Sequence, residues 1–154
     1  MPNVRRAVLP GDWIFVVSGR MPSVQQYVVG GFQVDQKLSA FAAHAAFPEN
    51  RLSKRPDGSL AGNIIVNGQG RQHPLDYHSG FEKRVNNYIV GRDPIVVESP
   101  AAVARCRLDT LPFLEDLFDR SGASVFDVIG RWRRLDEHRI DMLLSWLNDV
   151  KSAR

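Results

Sequence analysis

A chain of 154 residues, 44% hydrophobic and 24% charged, is long enough for one domain with its own core. Its single cysteine, Cys106, excludes an internal disulfide and a multi-cysteine zinc site, and fits a reducing, cytoplasmic setting. No run approaches the ~18 apolar residues of a membrane span, and Met1-Pro2-Asn3-Val4-Arg5-Arg6 lacks a signal peptide's apolar core, so no membrane partner is expected. The net charge of +3 is unevenly placed. Residues 1–108 hold 13 Lys/Arg against 8 Asp/Glu, and residues 109–154 hold 7 against 9. A basic part suits a polyanion, because Lys and Arg release counterions condensed on phosphates. The same excess is also unexceptional over a hundred residues, and 16 Arg against 4 Lys is what a GC-rich coding sequence gives.

In chain order, a Pro10-Gly11-Asp12 turn launches the apolar run Trp13-Ile14-Phe15-Val16-Val17. A loop around Ser18-Gly19-Arg20-Met21-Pro22 interrupts it, and Tyr27-Val28-Val29-Gly30-Gly31-Phe32-Gln33-Val34 returns. Two β-branched runs about a short Gly-Pro loop predict an antiparallel hairpin. A helix follows, begun by Asp35 or Ser39, carried by Leu38, Phe41, Ala42 and Ala45, and stopped by Pro48. Residues 49–62 are polar and rich in turn formers, an exposed loop. Asn63–Val66 reads as a short strand closed by Asn67-Gly68, a two-residue hairpin signal. Tyr88–Val90 and Ile95–Val97 read as further strands, bent at Asp93-Pro94.

From Asp109 the period turns helical. Thr110 and Pro112 suggest a first turn, Phe113, Leu114, Leu117 and Phe118 a stripe, and Gly122 its end. Ser124 with Asp127 resembles a capping box ahead of Val125, Val128, Ile129 and Trp132. Asp136 caps a last helix with Ile140, Leu143, Leu144 and Leu147 on its inner face. Such short amphipathic helices must bury their stripes against the sheet or each other.

The wording of the opening hairpin resembles that of PUA-like barrel domains, which include the EVE, YTH and ASCH families. Val4-Arg5-Arg6, Pro10-Gly11-Asp12-Trp13, Gly62-Asn63-Ile64-Ile65 and Asn87-Tyr88-Ile89-Val90-Gly91-Arg92 fall in an order similar to the second nucleotide-modification-associated domain family. The likeness covers about the first hundred residues, and departs from that family's Gly-Asp-Asn-Ile-Tyr and Tyr-Phe-Gly at residues 62–65 and 89–91. The resemblance implies one α+β domain over 1–154: a PUA-like β-barrel over about 7–108 with an inserted helix, and a packed set of about three C-terminal helices over 109–151. It implies a link to DNA base modification and bacterial defence, and a loop at Ser18-Gly19-Arg20-Met21 that helps line a nucleobase pocket.

The residues themselves offer chemistry for such a pocket. Gly19 lets backbone approach a flat ligand, and groups beside Ser18 and Arg20 suit a base edge. Trp13 lies in an aliphatic strand, where a core role competes with base stacking. Tyr77 and His78, in the loop His73-Pro74-Leu75-Asp76-Tyr77-His78, offer faces for an extruded base, although a plain surface loop reads equally well. The spacing of His73 and His78 fits no metal-ligating pair, so no metal is expected. Asn63, Asn87 and Tyr88 add amide and phenol groups, or simply begin strands. Arg51, Lys54, Arg55 and Arg92 are candidates for phosphate, against ordinary solvated charge. Arg131, Arg133 and Arg134 around Trp132 are better read as salt-bridging with nearby acids.

No phosphate-binding glycine loop, nucleophile elbow or zinc deaminase signature is present, and neither a catalytic residue nor a cofactor is expected. Asp12 suits a turn cap better than a general base. Cys106 between Arg105 and Arg107 reads either as an activated thiol or as a small buried side chain. The reading is a module that binds nucleic acid, DNA over RNA, at a modified base, beside a nuclease or other modification-system protein. The alternatives are an RNA- or nucleoside-processing enzyme of ASCH type and a protein-interaction module. The base-binding residues are expected to converge on one concavity beside Trp13.

Overall fold

The computed structural model describes residues 2–152. It is a mixed α+β fold: α1 (Pro2–Ala7), β1 (Trp13–Val17), β2 (Val28–Leu38), α2 (Ala40–Ala46), β3 (Ser53–Lys54), β4 (Leu60–Ala61), β5 (Tyr88–Val96), α3 (Pro100–Phe118), α4 (Val125–Ile129) and α5 (Glu137–Ser152). One antiparallel pair, β3–β4, stands apart from a three-stranded sheet in the order β1-β2-β5. The chain divides into two compact units interleaved in sequence. Residues 1–12 and 34–91 form the first, and residues 13–33 and 92–154 the second.

The second unit holds the expected hairpin. β1 and β2 pair antiparallel with Trp13 opposite Gln33 and Phe15 opposite Gly31, and a register shift falls between Val16 and Val17. Gly30 is required where it stands: at φ +146° a Cβ there would lie 2.0 Å from the Ile95 carbonyl oxygen. Val28, Ile95, Val97, Cys106, Leu114, Val128, Leu143 and Leu147 form its core, with Trp13, Phe15 and Phe113 packed against them. Phe113 stacks on Trp146 at 4.5 Å between ring centroids. Three helices, α3, α4 and α5, deliver Cys106, Phe113, Leu114, Val128, Leu143 and Leu147. Ser99 caps α3, accepting from Ala102 N–H, and Pro100 takes the first turn, where a missing N–H costs nothing.

That start corrects the expectation of a helix beginning at Asp109. Thr110 and Pro112 lie inside α3, and the wholly buried Thr110 hydroxyl accepts the Val28 N–H at 3.1 Å. The helix ends not at Gly122 but at Asp119, in the left-handed region, while the Gly122 N–H reaches Glu115 Oε1 at 2.8 Å. Ser124 caps α4 and Asp136 caps α5 by accepting from Asp127 and Arg139 N–H, as their spacing predicts. Trp132 falls beyond α4 and is 48% exposed, because the helix stops at Gly130.

In the first unit, Ser39 caps α2 by accepting from Ala42 N–H, and Phe47 and Pro48 end it. The Asp35 alternative fails because β2 continues to Leu38. Ala40, Ala43, Ile64, Ile65 and Val66 are buried together, with Phe47, Phe81 and Tyr88 around them. Residues 63–66 make only isolated bridges, Arg51 to Ile64 and Val66 to Gln72, rather than a strand. The turn after them spans five residues, not two, since the Asn67 side chain accepts from Gln69 and Arg71 N–H. β5 is one strand where two were expected, with Asp93 at φ +48° absorbing the bend before Pro94.

No closed barrel is found among the described residues. Residues 63–66, read as a further strand, make only bridges, and the β3–β4 pair falls within residues 49–62, read as an exposed loop, which leaves the sheet at three strands.

Candidate functional site

Phe47, Asn50 and Tyr88 of the first unit line one cleft, and Asn63 is hydrogen-bonded to Tyr88. Pro48 forces a short 3₁₀ turn directly after Phe47, which brings Asn50 round. The Asn50 carbonyl accepts from both Asn63 N–H at 2.9 Å and Ile64 N–H at 3.0 Å. Gly62 allows that approach at φ +78°, since a Cβ there would meet the Arg51 carbonyl oxygen at 2.3 Å. Asn63 is thereby set opposite Tyr88, the first residue of β5, whose hydroxyl donates to Asn63 Oδ1 at 2.9 Å. The Tyr88 ring stacks beside Phe47 at 6.3 Å between centroids and 23° between planes.

The open cleft, of about 210 Å³, is lined by Phe47, Asn50, Tyr88, Ile89, Val90 and Gly91. It combines two ring faces with an amide and the edge of a strand. That is the composition a planar, hydrogen-bonding ligand requires. Burial pushes the Tyr88 phenol above its ordinary value, against the Asn63 hydrogen bond, and the Glu49 charge adds to the rise. The hydroxyl is therefore a neutral donor at physiological pH.

The other residues named from sequence are distributed as follows. Asn87, half-buried, precedes Tyr88. Tyr77 is 83% exposed. His78 Nδ1 lies 2.7 Å from Oδ1 of the buried Asp76, while His73 Nδ1 accepts from Leu75 N–H within its own turn. Arg51 spends two guanidinium nitrogens on the His44 carbonyl at the end of α2, at 3.0 and 2.8 Å. Lys54 and Arg55 are exposed, and Arg55 reaches Ser59 Oγ at 3.4 Å.

Trp13, Ser18, Gly19, Arg20 and Arg92 belong to the second unit. There Trp13 stacks on Phe15 at 5.7 Å and packs on the core. Ser18 Oγ accepts from Tyr27 N–H, its carbonyl from Gln26, and Gly19 and Arg20 are exposed. Arg92 donates to Gln33 Oε1 at 3.0 Å and lies 3.7 Å from Asp93. Arg133 donates to the Val128 carbonyl and covers the Phe118 ring at 4.9 Å.

Three features bound the chemistry. Cys106 is wholly buried, and burial, with Asp109 nearby, pushes its thiol up to about 11, so the activated-thiol reading fails. Among the described residues, no three His, Cys, Asp or Glu side chains stand together to hold a metal, and no helix is long and apolar enough to cross a membrane. The charge follows the units: the first holds 9 Lys/Arg against 6 Asp/Glu and the second 11 against 11.

The chain matches no family model, no curated protein and no solved structure.

Sequence reading missed Phe47 and Asn50, although a Phe-Pro step directly after an amphipathic helix marks an aromatic held at a turn. It also missed Asp76 and Arg84, which meet only through the folded loop between them.

Proposed function

We propose that the protein is a nucleic-acid-binding module that reads a modified base, with DNA favoured over RNA, in a bacterial modification or defence system. The observation that carries this reading is the Tyr88–Asn63 hydrogen bond beside the Phe47 ring at the rim of the cleft. Stacking supplies affinity for any base, and a polar rim discriminates between bases, since unpaired polar groups penalise the wrong one. The excess of Lys and Arg in the unit that holds the cleft supports an anionic partner.

We take the β1–β2 hairpin after Pro10-Gly11-Asp12, with its Ser18–Met21 loop, as the portion of the chain built on a PUA-like plan. Binding is favoured over turnover, because the one nucleophile suggested by sequence, Cys106, is buried. An effector such as a nuclease would then act on the DNA the module marks.

Fluorescence anisotropy across matched oligonucleotides, plain and carrying modified cytosine or adenine, single- and double-stranded, tests the proposal. One modified DNA should bind at least about tenfold more tightly than its plain counterpart, a difference of about 1.4 kcal/mol. Equal binding across the panel, or none at low salt, would refute it.

A further inference from the structure

The arginines that flank Trp132 form none of the salt bridges their spacing suggests. The loop between α4 and α5 begins at Gly130, at φ +69°, and runs to Asp136, which caps α5. Arg131, Trp132 and Arg134 are all exposed along it. The acids nearby are committed elsewhere. Asp136 accepts from the Arg139 backbone N–H and guanidinium, and Asp127 accepts from the Ser124 hydroxyl. Among the described residues, Arg131 and Arg134 have no ion pair or hydrogen bond, and Trp132 has no hydrogen bond or ring contact.

The residues between them hold the loop in place. Arg133 turns inward: its Nη1 donates to the Val128 carbonyl at 2.6 Å, and its guanidinium covers the ring of Phe118, the last residue of α3, at 4.9 Å. Leu135 packs against the core of the second unit. The loop therefore presents one indole and two guanidiniums within four consecutive residues, and their closeness follows from the chain itself. The Cα atoms of residues 131 and 134 lie within about 11 Å of each other, the full reach of three residues. A loop already ordered in this way has little conformational freedom left to lose on binding. Tryptophan is ordinarily well buried. An exposed indole beside unpaired cations supplies the two parts a single nucleic-acid strand requires, a face for a base and charge for the backbone.

We propose that the Arg131–Arg134 loop is a contact surface for single-stranded nucleic acid, with Trp132 stacking on an unpaired base and Arg131 and Arg134 engaging phosphates on either side. An extended strand lies along a surface and needs no enclosed cavity. A closed duplex keeps its bases stacked on one another and offers the indole no face. The guanidinium plane matches phosphate oxygens, where an ammonium is only a point charge. A lipid surface fits less well, because anchoring there scales with buried apolar area and the loop offers one aromatic side chain. The inference goes beyond the base-reading proposal and shares with it only the class of partner. The loop belongs to the second unit and the cleft-lining Tyr88 to the first, and stacking on Trp132 accepts any base.

Fluorescence anisotropy of labelled, unmodified oligothymidylate titrated with the full chain at low ionic strength, beside a plain duplex, tests the surface. The single strand should bind saturably and more tightly than the duplex. Trp132→Ala should weaken that binding about tenfold, and Trp132→Phe, which keeps a ring, much less. Trp132→Ala should leave the salt dependence unchanged. Arg131→Gln combined with Arg134→Gln should make the slope of log affinity against log salt shallower by about 1.4, from two single-strand phosphate contacts at about 0.7 each. All three positions are exposed, so far-UV circular dichroism should not change in any variant. Absence of saturable single-strand binding, a duplex bound as tightly as the single strand, or wild-type affinity and slope in the folded variants overturns the proposal. So does capture by vesicles of anionic phospholipid that Trp132→Ala abolishes while oligothymidylate binding survives. The ratio of affinities for modified and plain DNA, which reads the Tyr88 cleft, should be unaffected by Trp132→Ala, so either idea can fail without the other.

Discussion

The Tyr88 hydroxyl donates to Asn63 Oδ1 at 2.9 Å, joining the start of β5 to a segment 25 residues earlier that has no regular secondary structure of its own. The bond ties Asn63 to the Tyr88 ring, which stacks beside Phe47 in the lining of the cleft. Tyr88→Phe keeps the ring and removes the bond, so it should cost about 1 kcal/mol of stability while sparing most base stacking. Urea denaturation with parallel binding checks this. Spectrophotometric titration should also show a phenol raised above the ordinary tyrosine value that vanishes in Tyr88→Phe.

Asp76 makes the acid limit of stability testable. Burial alone would raise its carboxyl, yet hydrogen bonds from His78 and Gln72 and the Arg84 charge carry it below its ordinary value. The native state therefore binds this proton more weakly than the unfolded chain does. The resulting stability is present above the unfolded value of about 3.9 and is lost as pH falls through the folded one. Asp76→Asn should flatten the acid limb of a stability–pH curve and cost about 3 kcal/mol at neutral pH, because it strands Arg84. Parallel acid limbs for both proteins would contradict this account of Asp76.

Thr110 is a second polar group spent inside a core. Its hydroxyl is the partner of the Val28 N–H at 3.1 Å, so Thr110→Val, nearly isosteric, should destabilise by about 1–3 kcal/mol. Thr110→Ser should retain most of that stability. Thermal denaturation of the pair separates the lost hydrogen bond from lost packing.

Gly30 offers a backbone test. A Cβ at φ +146° and 2.0 Å from the Ile95 carbonyl oxygen cannot be accommodated without moving β5. Gly30→Ala should lower stability by more than about 2 kcal/mol, whereas Gly58→Ala, in an open turn, should cost less.

Local signals in the sequence proved legible where their partners are also local. Ser39, Ser124 and Asp136 each satisfy an N–H three residues on, and the β1–β2 pair follows from two β-branched runs around a short loop. Pro112 and Thr110 misled because each has two meanings: a helix start, or a tolerated interior proline and a hydroxyl with a tertiary partner. Only the fold supplies Val28. Barrel closure was not legible, since it depends on pairings that segments 63–66 and 53–61 make in other ways. Of the candidate site, Tyr88 and Asn63 carry chemistry visible in the sequence, but Phe47 meets Tyr88, and Asn50 meets Asn63, only once the chain between them has folded back.

The most direct test of the base-reading account is the ratio of affinities for the preferred modified DNA and its plain counterpart, measured for wild type, Tyr88→Ala and Lys54→Ala. Lys54 is exposed on β3 and is not among the residues that line the cleft. The account predicts that Tyr88→Ala collapses the ratio towards one, losing the roughly 1–3 kcal/mol that stacking and edge hydrogen bonds supply. Lys54→Ala should weaken both DNAs alike and leave the ratio unchanged. A ratio that survives Tyr88→Ala in a folded variant would contradict the assignment of the cleft as the base site.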